Sequence, residues 1–130
     1  MNAVKDAALR LKAALMLVPG IGSFVYTDPG AEVQRPGLVI GPPSLQFATF
    51  NDEVGPVPTN ARFTVFAVVD ADQYAVEKLW DLVPEVVAAV EVHTDGCLAD
   101  GAEATPASYP VGSSDMPAYA IPIDMPLEGR

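Results

Sequence analysis

The chain has 130 residues, half of them apolar and only 18% charged, with a mean hydropathy of +0.26. That length suits one domain with one self-supporting core, and a charged share below the usual ~25% leaves an apolar excess that something must cover. A net charge of −10 argues against a basic nucleic-acid-binding face, and the longest uninterrupted apolar run, Ala13 to Val18, falls far short of the ~20 residues of a membrane helix.

Asn2 can cap a first helix in which Val4, Ala8, Leu11, Leu15 and Val18 recur at alternating spacings of four and three, with Lys5 and Lys12 off the stripe. No small-x-small cleavage site follows Val18, and Asp6, Arg10 and Lys12 interrupt the apolar stretch, so no signal peptide is expected and the cytosol is the default site of synthesis. Pro19-Gly20 ends the helix. Ile21 to Thr27 reads as a strand closed by Asp28-Pro29-Gly30, and Gly37 to Gly41 as a second one stopped by Pro42-Pro43. Ser44 to Phe50 alternates Leu45, Phe47 and Thr49 with Gln46 and Ala48, the pattern of a half-buried strand. Residues 51–60 form a long polar connection containing Asp52 and Glu53.

Phe63 to Val69 is apolar on both faces, which predicts a central strand covered above and below. Asp72 can cap a second helix with Val76, Leu79, Val83, Val86 and Val90 on one stripe, and Pro84 should kink it. His93 to Gly101 has turn-like composition. Pro106 to Val111 and Ala118 to Met125 suit a hairpin at the sheet edge, joined by Ser113-Ser114-Asp115, where Pro106, Pro110 and Pro122 are tolerated. The order predicts an α+β single domain: a mixed or antiparallel sheet of about five to six strands with two helices packed on it.

Charge is unevenly spread. Residues 1–50 carry +1 and residues 51–130 carry −11. Single-copy Cys97 excludes an internal disulfide, and with the lone His93 it cannot complete a four-ligand zinc site without carboxylates. Gly20-Ile21-Gly22 follows a helix and lacks the third glycine of a dinucleotide loop, which has Val25 in its place, so a helix C-cap is the better reading. Asp70-Ala71-Asp72 opens like a calcium loop but has Ala75 and Asp81 where Gly and Glu are needed. Gly112-Ser113-Ser114 lacks the second glycine of a nucleophile elbow. His93 and Cys97 as base and nucleophile lack an orienting group and an oxyanion site. Glu77, Asp81 and Glu85 form a solvated acidic ridge, and Trp80 reads as packing. No catalytic, cofactor-binding or metal-binding residue is assigned, and no cofactor is expected.

The opening helix with Pro19-Gly20, the Val25-Tyr26 strand, Pro36-Gly37-Leu38-Val39-Ile40-Gly41-Pro42-Pro43, the Arg62–Val69 strand followed by Leu79-Trp80-Asp81-Leu82-Val83, and the closing Met116-Pro117-Ala118-Tyr119-Ala120-Ile121-Pro122-Ile123 share one layout with a known family. Over nearly its full length the chain resembles the lambda-type tail terminator proteins of long-tailed bacteriophages. Its Ala-, Val- and Pro-rich, Lys-poor composition is similar to versions from phages of actinobacterial hosts such as mycobacteriophages.

The resemblance implies a non-enzymatic virion protein at the head–tail junction, assembled in the host cytoplasm. It would form a hexameric ring, stop polymerisation of the tail-tube protein and join the tail to the head-connector or stopper protein, with no membrane partner. DNA would pass through the ring without sequence-specific binding. Six copies of Asp52 and Glu53 would make a lumen or ring-contact collar that repels phosphate. Tyr119, Ile121 and Ile123 share a face of the expected edge strand and would contribute to the interface. Another neck ring protein, a stopper or head–tail joining protein, is the structural alternative. A small cytosolic α+β enzyme or ligand-binding domain using His93, Cys97 and the acids is the alternative of a different class.

Overall fold

The computed structural model of the protein describes residues 3–22, 24–27, 36–49, 56–93, 103–111 and 114–127. The first helix, α1 (Ala3–Leu15), buries Ala7, Leu11, Ala14 and Leu15, with Val18 just beyond, and leaves Val4 and Ala8 half-buried, so the apolar stripe faces the core as its spacing predicts. Its last turn tightens: Leu17 N donates to Ala14 O and Val18 N to Leu15 O, both at 3.1 Å. Gly20 at φ 83° and Gly22 at φ 54° then reverse the chain, a conformation that L side chains rarely adopt. The Gly-x-Gly is thus a helix-terminating turn.

Of the strand expected over Ile21 to Thr27, only β1 (Val25–Tyr26) forms, pairing in parallel with β2 (Gly37–Ile40), all four of whose residues are buried. Next come β3 (Ser44–Thr49) and the long β4 (Pro56–Val68). After α2 (Ala75–His93) the chain closes with β5 (Thr105–Val111) and β6 (Ser114–Pro126). Among the described residues, two helices and a six-stranded mixed sheet of order β1-β2-β4-β6-β5, with β3 also paired to β4, make an α+β arrangement.

β4 is the spine. Its odd-numbered residues Ala61, Phe63, Val65 and Ala67, with Val69 just beyond its end, turn to the helices and are all buried, beside Ile121, Ile123 and Met125 of β6. The opposite face holds a second cluster of Val39, Val68, Tyr109 and Ala118, where the Tyr109 ring reaches Phe66 across the small Ala118 at 5.2 Å between centroids. Cover on both faces explains why Thr64 is the one polar residue from Phe63 to Val69.

Three expectations need correction. The polar connection assigned to residues 51–60 is shorter, because Pro56 to Asn60 belong to β4 and pair with β3 around an irregularity at Gln46/Phe47. The β4–β6 pairing ends at Asn60↔Pro126, with Leu127 N still bonded to Thr59 O, so among the described residues no strand flanks Pro56 and Pro58 on that side, and proline is tolerated there. Leu45 and Phe47 keep their alternation but are exposed, because no helix of the core covers the ribbon.

The second correction concerns the face of β6: the β5–β6 hairpin does close the sheet edge, with β6 between β4 and β5 up to Ala120 and, among the described residues, beside β4 alone from Ile121 on, but Tyr119, Ile121 and Ile123 turn inward. Ile121 and Ile123 are therefore core residues at 2% and 0% exposure, and Tyr119 is half-buried against the same core. The prolines that suggested an edge obey a stricter rule. Leu127 N donates to Thr59 O at 2.9 Å, and the β4–β6 register is unbroken from Asn60↔Pro126 to Val68↔Ala118. Odd-numbered residues of β6 thus turn their nitrogens to β4, and even-numbered ones turn away. Pro122 and Pro126 point outward where β5 has already ended at Thr105↔Ala120. By the same alternation Pro106 and Pro110 of β5 face the open edge.

The third correction is in α2. Leu79, Val86 and Val90 are buried and Val83 half-buried as expected, but Val76 is 53% exposed and lies on a different face. Asp72 does cap the helix: its Oδ1 accepts from Tyr74 N at 2.8 Å and its carbonyl from Ala75 N at 3.1 Å.

Candidate functional site

Asp52 and Glu53 lie outside the described residues, as does Cys97, while His93 is the last residue of α2. Tyr119, Ile121 and Ile123 are placed together on one face, but that face looks inward. Among the described residues no group of three His, Cys, Asp or Glu side chains is arranged to hold a metal ion, and no helix is long and apolar enough to cross a membrane.

Where the first helix turns back, the chain and α2 enclose a cleft of about 330 Å³, lined by Ile21, Val69 and Leu82 and by the carboxylates Asp70, Asp81 and Glu85. Lys78 also reaches it, but its Nζ lies 2.8 Å from Asp72 Oδ2. That pair completes the cap. Hydrogen bonding to Lys78, and then to Tyr74 N, holds the Asp72 carboxyl below its ordinary pKa, and Asp72 in turn raises Lys78.

A second ion pair ties the sheet. Arg62 on β4 and Asp124 on β6 are cross-strand partners, with Nε donating to Oδ1 at 2.6 Å and Nη2 to Oδ2 at 2.9 Å. The two-pronged contact lowers the Asp124 pKa, chiefly through the hydrogen bond to Arg62, and raises that of Arg62. Asp124 is one of the outward-facing positions between Pro122 and Pro126. Four of the six outward positions along this side of the sheet are therefore prolines without a donor (106, 110, 122 and 126), leaving Ser108 and Asp124. Such an edge resists strand addition.

The apolar excess surfaces instead on the helices. Along α2, Val76, Trp80, Pro84, Ala88 and Val92 follow one another four residues apart and all are exposed, Trp80 at 61% and Val92 at 70%. Glu77, Asp81 and Glu85 run beside them as the next row, exposed as the acidic ridge anticipated from sequence. Trp80 is held in place because its indole Nε1 donates to the Tyr119 hydroxyl at 3.2 Å. The row continues onto the end of α1: Leu17 and Pro19 face Pro84, Ala88 and Val92 across a shallow groove of about 390 Å³.

Sequence reasoning missed this row by merging Val76 with the buried stripe and reading Trp80 as packing. The signal was present, since an apolar residue at every fourth position through a 19-residue helix, beside acids at the same period, marks a second ridge that the core stripe does not use. Comparison with family models, curated proteins and solved structures finds no match.

Proposed function

We propose that the protein is a non-enzymatic structural component of a phage tail, forming a ring at the head-proximal end of the tail tube. There it stops polymerisation of the tube protein and joins the tail to the head connector. The resemblance of its layout to tail terminators supplies the role, and the exposed apolar face of the helices is the observation that carries it. Residues such as Trp80, Val92 and Leu17, 59–70% exposed and adjoining one another around α2 and the end of α1, fit a surface covered by another protein.

The acidic bias suits a passage for DNA. With −11 on residues 51–130, a ring of these chains would repel phosphate and hold no strand fast. Six-fold assembly, the tube and connector partners and the head–tail junction follow from the resemblance. Tube protein from the same genome, polymerised with and without the chain, tests the role: tubes of limited length support it, and unchanged growth overturns it.

The acid-lined cleft between Ile21, Val69 and α2 favours a second reading, a small ligand-binding domain. Saturable binding of a small organic cation at that cleft, lost in Asp81→Asn with Glu85→Gln, would support it.

A further inference from the structure

The apolar row on α2 has a counterpart in the same chain. On α1 and the turn that continues it, Lys5, Leu9, Ala13 and Leu17 also follow one another four residues apart, all exposed, Leu9 at 55%. Arg10 and Lys12 lie in the rows on either side, with Met16 beside Leu17 and Asp6 as the one acid. Three of the chain's seven bases are in this helix, whereas α2 carries four acids against Lys78 alone.

Residues four apart form the ridges that interdigitate in the commonest class of helix packing, crossing at about −50°. The geometry points to a docking site for a second copy of this chain: the α1 row of one molecule packs against the Val76–Trp80–Pro84–Ala88–Val92 row of α2 on the next. The acid row Glu77, Asp81 and Glu85 then lies against one of the two basic flanks of the α1 row, that of Arg10 or that of Lys12 according to the direction of crossing.

Charge selects this pairing from the alternatives. Joining α2 to α2 would place the three acids against their own copies, and joining α1 to α1 would oppose Arg10 and Lys12 to themselves. Only α1 on α2 opposes unlike charges along the acid-bearing flank of the apolar seam, the other flank of the α2 row being the buried stripe of Ala75 and Leu79. The net charge of −10 repels whole molecules, but that repulsion is screened beyond about 8 Å at physiological salt, while contacts beside a packed ridge are not. Sheet-to-sheet joining does not compete at the β5–β6 side, where prolines occupy four of the six outward positions.

The inference rests on the ring reading only in sharing its partner, a second copy, and the two can fail separately. Two variants are made: Arg10→Glu with Lys12→Glu, and Asp81→Lys with Glu85→Lys. Arg10, Asp81 and Glu85 are exposed and Lys12 is half-buried, and circular dichroism verifies the fold. Each variant opposes like charges in its own pairing, and self-association measured by sedimentation velocity should weaken by about a hundredfold or more. Mixed together, both contacts become complementary again and association should return.

Either variant associating like the wild type, a mixture that stays dissociated, or a wild-type chain that stays monomeric both alone and on the tube overturns the docking. A wild-type monomer whose binding to tube protein is lost in the α2 variant assigns the ridge to the tube protein instead, and overturns it too. If tube growth stops equally well with both variants, the docking falls and the ring reading stands. If the charge exchange behaves as described but tube growth is untouched, the ring reading falls and the docking stands.

Discussion

Truncating Ile123 separates a core role from an interface role for β6. The side chain is fully buried among Phe63, Val65 and the helices in a single molecule, so Ile123→Ala removes apolar contacts and leaves a cavity whether or not other copies are present. Ile→Ala at such a site costs about 2–5 kcal/mol. For a domain of this size one kcal/mol shifts Tm by about 3–5 °C, so a drop of roughly 8–20 °C is expected at the middle of that range. Ile121→Ala, at 2% exposure on the same face, should fall within it. Melting followed by circular dichroism at protein concentrations a hundredfold apart gives the decisive comparison, since a loss of subunit contacts lowers Tm only where copies associate, at the higher concentration, whereas a loss of core packing lowers it equally at both. A Tm within about one degree of wild type, or a loss visible only at high concentration, would refute the placement of Ile123 in the core.

Other outcomes follow from particular contacts. Pro106→Ala with Pro110→Ala restores two outward N–H groups on β5 and should raise aggregation in light scattering without lowering Tm; unchanged scattering would show that the edge is guarded by something else. Gly20→Ala meets no atom within 4 Å yet must hold φ 83°, so it should cost about 1 kcal/mol in urea titration, and a neutral result would place no strain at that turn. Asp124 and Asp72 have carboxyl pKa values lowered in the folded state, so the stability they add is present above the unfolded carboxylate value and is lost as pH falls through the folded one. Asp124→Asn should therefore flatten the acid limb of a stability–pH curve below about pH 4, and an unchanged limb would remove Arg62–Asp124 from it. Replacing His93 and Cys97 together with Ala should leave tail assembly intact, as a non-enzymatic role requires.

Much of the fold was legible because single residues carried unambiguous physics. Phe63 to Val69 had no polar face to offer solvent, which forces a covered central strand. Asp72 before an apolar period of three and four could only cap a helix. What misled was composition read without its direction. Pro106, Pro110 and Pro122 marked an edge correctly, but a strand has two faces as well as two sides, and only the register shows that the nitrogen of Pro122 points away from β4 while Ile121 and Ile123 pack on the core. Pro56 to Asn60 looked like a loop because proline and asparagine are poor strand formers, but β3 supplies their partner. Val76 stood three residues before Leu79 and was grouped with it, although on a helix that offset is 60° and enough to leave the core. The surface was harder to read than the core for the same reason: an exposed apolar row has no consequence inside one chain, so nothing local distinguishes it from packing until burial is known.

Electron microscopy of tube ends tests the central claim most directly. Tubes of the tail protein from the same genome, grown with the chain present and imaged along and across their axis, should carry at one end a closed ring of identical copies with an open lumen, the helices of each copy against those of the next. Bare ends on tubes of unlimited length, or the chain bound there as scattered single copies, would contradict it.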